Sequence, residues 1–185
     1  MANHWQQHAA FQDMAAFASL DAIFALNGLL VSKAPISEVI RVELEGRAYY
    51  VKRYWRGGKG LRRWMGTPRI VCEYSNLQLF QSWQIPTPTI VAWGAQYRWG
   101  IFRRGALVSL ELADCNDMAS LAFQDHPLLK DKHWLSQLAE KIATYTRILH
   151  QHRFTHNDLK WRNMLVNSQG QVFFIDCPCG GFWSG

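Results

Sequence analysis

The chain has 185 residues, 49% of them hydrophobic and 18% charged, a balance that excludes a disordered protein and suffices for one good core or two modest ones. The formal net charge is +6, the apolar runs are far shorter than a membrane span, and the N-terminus lacks the basic and apolar regions of a secretory signal. These features predict a soluble, globular protein in the cytoplasm.

The first element predicted along the chain is a β-hairpin. Residues 38–44 and 47–54 alternate between apolar and polar positions, and Glu45-Gly46 between them suits a tight turn. Lys52 falls near the end of the second strand. On its own, a lysine in this position is an ordinary solvated residue, so a functional role for it depends on the residues later in the chain.

A basic stretch overlaps the end of this hairpin. Residues 52–64 include six basic residues, three aromatic residues and no acidic residue: Lys52, Arg53, Arg56, Lys59, Arg62 and Arg63, with Tyr54, Trp55 and Trp64. The pattern suits an anionic membrane surface or a phosphorylated glycolipid, with a solvated basic loop as the alternative. Residues 56–60 lack the spacing of a phosphate loop and are interpreted as a flexible connector. Because no recognisable nucleic-acid-binding module is present, nucleic acid is not an expected partner.

A helix is predicted to begin at Thr67-Pro68, a capping residue followed by proline at the first helical position. Apolar residues then recur at helical spacing until Ile85-Pro86 ends the helix: Ile70, Tyr74, Leu77 and Phe80. Glu73 lies in the first turns. We therefore expect its carboxylate to lie within about 4 Å of the Lys52 ammonium, as an ion pair.

The pattern changes near residues 111–117, which we interpret as the boundary between a β-rich unit, residues 1–110, and a second unit, residues 111–185. In the second unit, five apolar residues at helical spacing predict an amphipathic helix that ends near His150: Leu135, Leu138, Ile142, Tyr145 and Leu149.

Residues 156–163 have the His-x-Asp-Leu-x-x-x-Asn form of the catalytic loop in protein-kinase-like phosphotransferases. In such a loop the aspartate, here Asp158, accepts the proton of the acceptor hydroxyl. The asparagine, here Asn163, holds a metal ion against the nucleotide phosphates. His156 is interpreted as the residue that packs and hydrogen-bonds to keep the loop in shape.

Two short strands are predicted after the loop, at residues 163–167 and 171–175, joined by a turn that contains Gly170. Asp176 comes directly after the second strand, where a further metal ligand is expected to face Asn163. The four cysteines include no C-x₂-C pair, so no structural zinc site is expected.

Residues 49–54, 156–163 and 174–178 together resemble the lipopolysaccharide core kinases, the Kdo/heptose kinase family of Gram-negative bacteria. The resemblance runs from about Asn27 to the C-terminus. It implies an α+β, protein-kinase-like two-lobed fold, in which the β-rich first unit is the N-lobe and the second unit is a helical C-lobe.

The same resemblance implies a kinase that uses ATP and Mg²⁺ to phosphorylate a sugar hydroxyl of the lipopolysaccharide inner core. By position, Lys52 would hold the α- and β-phosphates, and Glu73 would orient Lys52. Asp158 would be the catalytic base, and Asn163 and Asp176 would ligate Mg²⁺. The implied partner is lipopolysaccharide core or a lipid A precursor glycolipid, met in the cytoplasm with peripheral contact to the inner membrane.

Two departures from the expected pattern bear on activity. Residues 27–35, where the phosphate cover should lie, contain one glycine and no G-x-G-x-x-G. Only nine residues come after Asp176, which predicts a C-terminally truncated C-lobe. Asp176 is followed by Cys177-Pro178 where protein kinases have Phe-Gly, so the metal ligand is present without the usual phenylalanine. Two other functions remain open: an aminoglycoside- or choline-type phosphotransferase that uses the same loop on a soluble acceptor, and a catalytically inactive kinase-like fragment.

Overall fold

The computed structural model describes residues 2–58 and 66–183 of the chain. These residues divide into two compact units. Of the described residues, the first unit contains 2–58, 66–74 and 89–111, and the second contains 75–88 and 112–183.

The first unit is built on a six-stranded antiparallel sheet. The sheet strands are β1 (Ala2–Gln7), β2 (Leu29–Ala34), β3 (Ser37–Leu44), β4 (Arg47–Tyr54), β5 (Ile90–Arg98) and β6 (Ile101–Leu110). Their order across the sheet is β1-β5-β6-β4-β3-β2, so β1 and β2 form the two edges. A short helix, α1 (Leu20–Ala25), packs in this unit, and buried side chains of the N-terminal segment such as Phe17 and Ile23 join the core.

The predicted hairpin is confirmed as β3 and β4, which pair from Ser37 opposite Tyr54 to Leu44 opposite Arg47. Residues 29–34, in the segment expected to cover phosphates, form strand β2 on the edge of the same sheet. The one glycine of that segment, Gly28, lies against β3: a Cβ atom there would overlap the Arg41 carbonyl oxygen and lie 2.7 Å from Val42 Cγ1. This glycine is therefore needed for close packing within the sheet.

The predicted helix is confirmed as α2 (Arg69–Ser82), which comes directly after Thr67-Pro68. The interpretation of residues 56–60 as a flexible connector is wrong for Gly57 and Gly58, which are buried. The Gly57 carbonyl accepts a hydrogen bond from the Arg69 amide at 2.9 Å, and a Cβ at Gly57 would lie in ordinary contact with Phe102. Lys59 and Gly60 lie outside the described residues.

Besides the C-terminal part of α2, the described residues of the second unit form two further helices and short strands. The helices are α3 (Met118–Phe123) and α4 (Lys132–Gln151), and the strands are β7 (Asn116–Asp117), β8 (Phe154–Thr155), β9 (Met164–Val166), β10 (Val172–Phe174) and β11 (Gly181–Phe182). Strands β10, β9 and β7 form one small sheet, and β11 pairs with β8. None of the helices in the described residues has the length and apolarity needed to cross a membrane.

The sequence-based predictions for the second unit hold element by element. Helix α4 ends at Gln151, one residue beyond the predicted end, and it buries Leu138 and Leu149 of the predicted stripe. The two predicted strands are β9 and β10, which pair antiparallel. Gly170 in the turn between them has a positive φ of 66°, a conformation that glycine adopts without strain.

Candidate functional site

In the first unit, the predicted ion pair between β4 and α2 is confirmed. The Lys52 ammonium lies 2.9 Å from Glu73 Oε1, and the side chains of Lys52 and Glu73 are 16% and 4% exposed. The Tyr54 hydroxyl donates to the other carboxylate oxygen of Glu73 at 2.7 Å. Lys52 and Tyr54 share a sheet face because they are two residues apart on one strand. The carboxylate is thus held between a cation and a hydroxyl.

The electrostatics of this cluster result from its burial. Desolvation raises the pKa of the buried Tyr54 phenol well above its usual range, and the nearby Glu73 carboxylate adds to that effect. Tyr54 is therefore a neutral hydrogen-bond donor at every physiological pH. Its bond to Glu73 orients the carboxylate that faces Lys52.

The basic stretch predicted at residues 52–64 is not a continuous charged surface. Arg53 is buried, and its guanidinium lies 3.2 Å from the Glu38 carboxylate and donates to the Ile23 and Leu26 carbonyl oxygens. Lys52 pairs with Glu73, and Tyr54 is buried like Arg53. Three of the nine residues that define the stretch are therefore paired or buried inside the first unit. Four others lie outside the described residues: Lys59, Arg62, Arg63 and Trp64. Alternation of charge with aromatic residues did not distinguish buried from exposed positions here.

In the second unit, the structure brings together Asp158 and Asn163 of the predicted loop. The Asn163 side-chain amide donates to the Asp158 carbonyl oxygen at 2.8 Å and to Asp158 Oδ2 at 3.2 Å. Asn163 ends a 3₁₀ turn and is buried. Its backbone amide donates to the Lys160 backbone carbonyl at 2.7 Å. These bonds hold the carboxylate and the carboxamide in one compact turn.

Lys160 is a site residue that the sequence analysis did not single out. Its ammonium lies 2.5 Å from Asp158 Oδ1, and the two side chains are 43% and 31% exposed. The cation therefore contacts the carboxylate at a solvent-accessible position. The signal was present, because a lysine two residues after the aspartate puts an ammonium within reach of it in a tight loop.

Asp176 is positioned by the strand that precedes it. The Ile175 amide donates to the Asn163 carbonyl at 3.1 Å, and the Phe174 amide donates to the Pro86 carbonyl at 2.9 Å. Asp176 is therefore the neighbour of a residue bonded directly to Asn163. Its backbone has a φ of 57°, in the left-handed region where an aspartate is tolerated better than most residues.

Asn76 of α2 is a second residue that the sequence analysis missed. It is buried, and its side-chain amide donates to the carbonyl oxygens of Cys177 at 2.8 Å and Gly180 at 3.3 Å. It thereby anchors the chain just after Asp176. Its position three residues after Glu73 and four before Phe80, next to the predicted buried stripe, is the sequence signal that could have found it.

His156 packs beneath the loop but does not hydrogen-bond as expected. Its ring lies 5.7 Å from that of Phe80 and 6.1 Å from that of Phe174. Neither ring nitrogen has a hydrogen-bond partner among the described residues. Burial lowers the pKa of His156, while the carboxylates of Asp158 and Asp176 act in the opposite direction. The residue is a neutral packing element, and the part of the interpretation that gave it a hydrogen bond is wrong.

The residues in the second unit fit a divalent cation of the Mg²⁺ type. The Asn163 amide nitrogen is committed to Asp158, so its oxygen Oδ1 is the atom that remains for a metal. The Asp176 carboxylate would be the second oxygen ligand, since Asp176 follows the residue whose backbone amide bonds to the Asn163 backbone carbonyl. Mg²⁺ prefers oxygen ligands and is commonly held by one or two protein groups, with phosphates and water completing its shell.

Comparison with known proteins gives the family. The sequence matches the lipopolysaccharide kinase (Kdo/WaaP) family over residues 32–178. The chain is also similar to a solved structure described as WaaP in complex with acyl carrier protein, with a TM-score of 0.75 and 19% sequence identity over 97% of this chain and 73% of that chain. No curated protein matches this sequence. The chain therefore belongs to the lipopolysaccharide kinase (Kdo/WaaP) family and has the predicted α+β, protein-kinase-like fold. Kinases of this family are phosphotransferases with an alcohol group, a sugar hydroxyl, as acceptor.

Proposed function

We propose that this protein transfers the γ-phosphoryl group of ATP to a sugar hydroxyl of the lipopolysaccharide inner core. Family membership supports the class of reaction. The observation that carries the proposal is the bonding of Asn163. Its side-chain amide nitrogen holds Asp158, and its backbone carbonyl accepts from the backbone amide of Ile175, the residue before Asp176. A base and two metal ligands therefore belong to one hydrogen-bonded network.

In this proposal Asp158 accepts the proton of the acceptor hydroxyl as the oxygen attacks phosphorus. Asn163 fixes the side chain of Asp158 through Oδ2, and Lys160 contacts Oδ1 at 2.5 Å. As a partly exposed cation beside the base, Lys160 is also placed to balance negative charge on the transferred phosphoryl group. The proton acceptor and the cation that balances phosphoryl charge would then lie side by side.

Asn163 Oδ1 and the Asp176 carboxylate would hold Mg²⁺ in the working enzyme. When bound, Mg²⁺ neutralises phosphate charge and holds the phosphates in line for transfer. The Asp176 carboxylate depends on the backbone bond between Ile175 and Asn163 and on the anchoring of the next residues by Asn76. Displacement of that segment should therefore weaken metal-dependent nucleotide binding without a change in either ligand.

Lys52 would bind the α- and β-phosphates, and Glu73 would keep its ammonium extended. A lysine side chain has many rotamers, so holding it in one arrangement lowers the entropy lost when phosphate binds. The buried Glu73 carboxylate is itself fixed by the Tyr54 hydroxyl at 2.7 Å. Tyr54 thus fixes Glu73, and Glu73 fixes Lys52, so the lysine would already be in position when the nucleotide binds.

We further propose that the acceptor is a lipopolysaccharide core or lipid A precursor glycolipid, and that the protein works in the cytoplasm, where ATP is available, at the inner membrane. A direct test is transfer of ³²P from γ-labelled ATP to purified inner-core lipopolysaccharide and to its delipidated oligosaccharide. Kanamycin and choline serve as soluble control acceptors. Phosphorylation of either control in preference to both core acceptors would overturn the acceptor assignment.

The residue assignment is tested with Asp158→Asn, which keeps the shape of the side chain and removes its basicity. Transfer should fall by about 10²–10⁴-fold, the usual contribution of a general base, with ATP affinity within about threefold of the original. Asp125→Asn is the matched control, since Asp125 is an exposed aspartate of the second unit with a φ of 47°, which asparagine accepts well. An Asp158→Asn protein that transfers phosphate at the original rate would remove Asp158 from the base role.

A further inference from the structure

The tip of the β5–β6 hairpin has an unusual residue for its backbone conformation. The two strands are joined by Trp99-Gly100 between the paired residues Arg98 and Ile101, and both tip residues have positive φ, 54° for Trp99 and 75° for Gly100. This is the type I′ geometry, in which asparagine, aspartate or glycine is preferred at the first position. A bulky tryptophan there is strained.

The fold of the first unit gives Trp99 little packing in return for this strain. Trp99 is 80% exposed. The guanidinium of the neighbouring Arg98 lies 4.4 Å from the ring centre. Strained residues persist where they serve a function or where surrounding structure enforces them. Since an asparagine would make the same turn more easily, the indole points to an interaction outside this molecule.

The charge around the tip is positive. Arg98 and Arg103 are both exposed, and residues 90–110 contain no acidic residue. A third arginine, Arg104, is bonded to the Asp21 carboxylate and so adds little to the tip's charge. The hairpin therefore presents one projecting indole between two arginines whose charge is not balanced on their own strands.

We propose that this hairpin tip, Arg98, Trp99 and Arg103, docks on the surface of an anionic lipid bilayer. Tryptophan is favoured at the headgroup level because its ring is amphipathic, and arginines nearby are attracted to anionic lipid phosphates. A projecting single indole suits insertion into a layer of headgroups. Single-stranded nucleic acid is instead bound by a basic groove with several stacking aromatics, and a stable protein interface covers about 800 Å² per partner.

The residues proposed for docking are not among those that define the basic stretch at residues 52–64, and none of them is assigned to phosphoryl transfer. Binding can therefore be measured without substrate or ATP. Sedimentation of the 185-residue chain with vesicles of phosphatidylglycerol and phosphatidylethanolamine tests it, with pure phosphatidylcholine vesicles as the uncharged control. The vesicles contain no lipopolysaccharide, so recognition of the acceptor does not contribute.

Two variants and two controls make the test specific. Trp99→Asn retains the turn and should weaken binding to the anionic vesicles about tenfold or more, because it removes the inserting ring. Arg98→Gln/Arg103→Gln should weaken it about twenty-five-fold, at about fivefold for each arginine near the surface. The controls are Phe123→Ser, which removes an aromatic side chain that is 93% exposed, and the exposed pair Arg47→Gln/Arg147→Gln. Both controls should bind like the original chain.

The thermal midpoint of each variant, measured by circular dichroism, shows whether it is folded, and the arginine variant is informative even if the Trp99→Asn protein fails to fold. Equal binding of the original chain to the uncharged and anionic vesicles would overturn the proposal. So would unchanged binding of the arginine variant, or a loss as large in the Arg47→Gln/Arg147→Gln control. A single-stranded RNA oligonucleotide that binds through the same residues as tightly as the vesicles would replace the proposal with a nucleic-acid site.

Discussion

The Lys52–Glu73 ion pair gives the sharpest test of the first unit, because its two members are buried unequally. The Lys52 side chain keeps 16% of its surface exposed, and the Glu73 side chain keeps 4%. Water can therefore solvate the Lys52 ammonium better than it can solvate the Glu73 carboxylate. Loss of the lysine leaves the less solvated charge behind. We expect Lys52→Met to destabilise the protein more than Glu73→Gln does.

Removing one member of a fully buried pair costs roughly 3–5 kcal/mol. The partial exposure of Lys52 places Lys52→Met at the lower end, about 3 kcal/mol. Glu73→Gln keeps a side-chain oxygen that can accept from the Tyr54 hydroxyl, so its cost should be about 1–2 kcal/mol. Neither charge remains in the double variant, and its cost should be about 2 kcal/mol less than the sum of the single costs.

Urea unfolding monitored by tryptophan fluorescence measures these three costs. The control is Lys130→Met, because Lys130 and its partner Asp125 are 65% and 80% exposed and their pair should contribute nothing measurable. Additive costs in the double variant would refute the coupling. A Glu73→Gln cost equal to or above that of Lys52→Met would refute the reasoning from unequal burial.

Four further outcomes are expected. Asp176→Ala should abolish the Mg²⁺ dependence of ATP affinity, measured by titration calorimetry with and without the metal, while the thermal midpoint stays within a few degrees. Burial lowers the pKa of His156 from 6.5, so just below pH 6.5 the unfolded chain takes up a proton that the folded chain does not. The protein therefore becomes less stable as the pH is lowered. His156→Phe should therefore lose less stability between pH 7.5 and pH 5 than the original chain, as judged by urea midpoints. Gly28→Ala should cost about 2 kcal/mol or more because its Cβ meets β3, whereas Gly181→Ala, with nothing within 4 Å, should leave the urea midpoint unchanged. Trp99→Asn should raise the thermal midpoint by about 2–4 °C, since relief of left-handed strain is worth about 1 kcal/mol.

Local sequence patterns were sufficient for the main elements. The alternation of residues 38–54 and the helical spacing of apolar residues before His150 each reflect the geometry of one element, which is set by neighbours close in sequence. The spacing of Asp158 and Asn163 is likewise local, because both lie in one turn that closes on itself through hydrogen bonds. Only the ion pair from β4 to α2 joined distant segments, and its prediction depended on the order of motifs along the chain.

The parts that the sequence analysis missed are tertiary pairings of polar side chains. Asn76 donates to the carbonyl oxygen of Cys177, 101 residues away, and Arg53 donates to the carbonyl oxygen of Ile23, 30 residues away. A sequence records that such a residue is polar, but its burial depends on carbonyl groups whose positions only the folded chain fixes. The exposed charge of the basic stretch was overestimated for this reason, because the sequence alone does not show whether Arg53 faces solvent or a buried carbonyl oxygen.

The same distinction explains why Trp99 carries more weight than the other exposed aromatic residues. Phe123 is 93% exposed, but it lies in an ordinary helical turn at no conformational cost. Trp99 adopts a backbone conformation that its side chain disfavours, at the tip of a hairpin that does not need a large side chain there. Where burial, hydrogen bonding and local propensity agree, stability is a sufficient reason for a residue, as it is for Gly28. Where propensity is violated and no burial compensates for it, a partner outside the described chain is the remaining physical reason, and it must supply more than the strain that the turn costs.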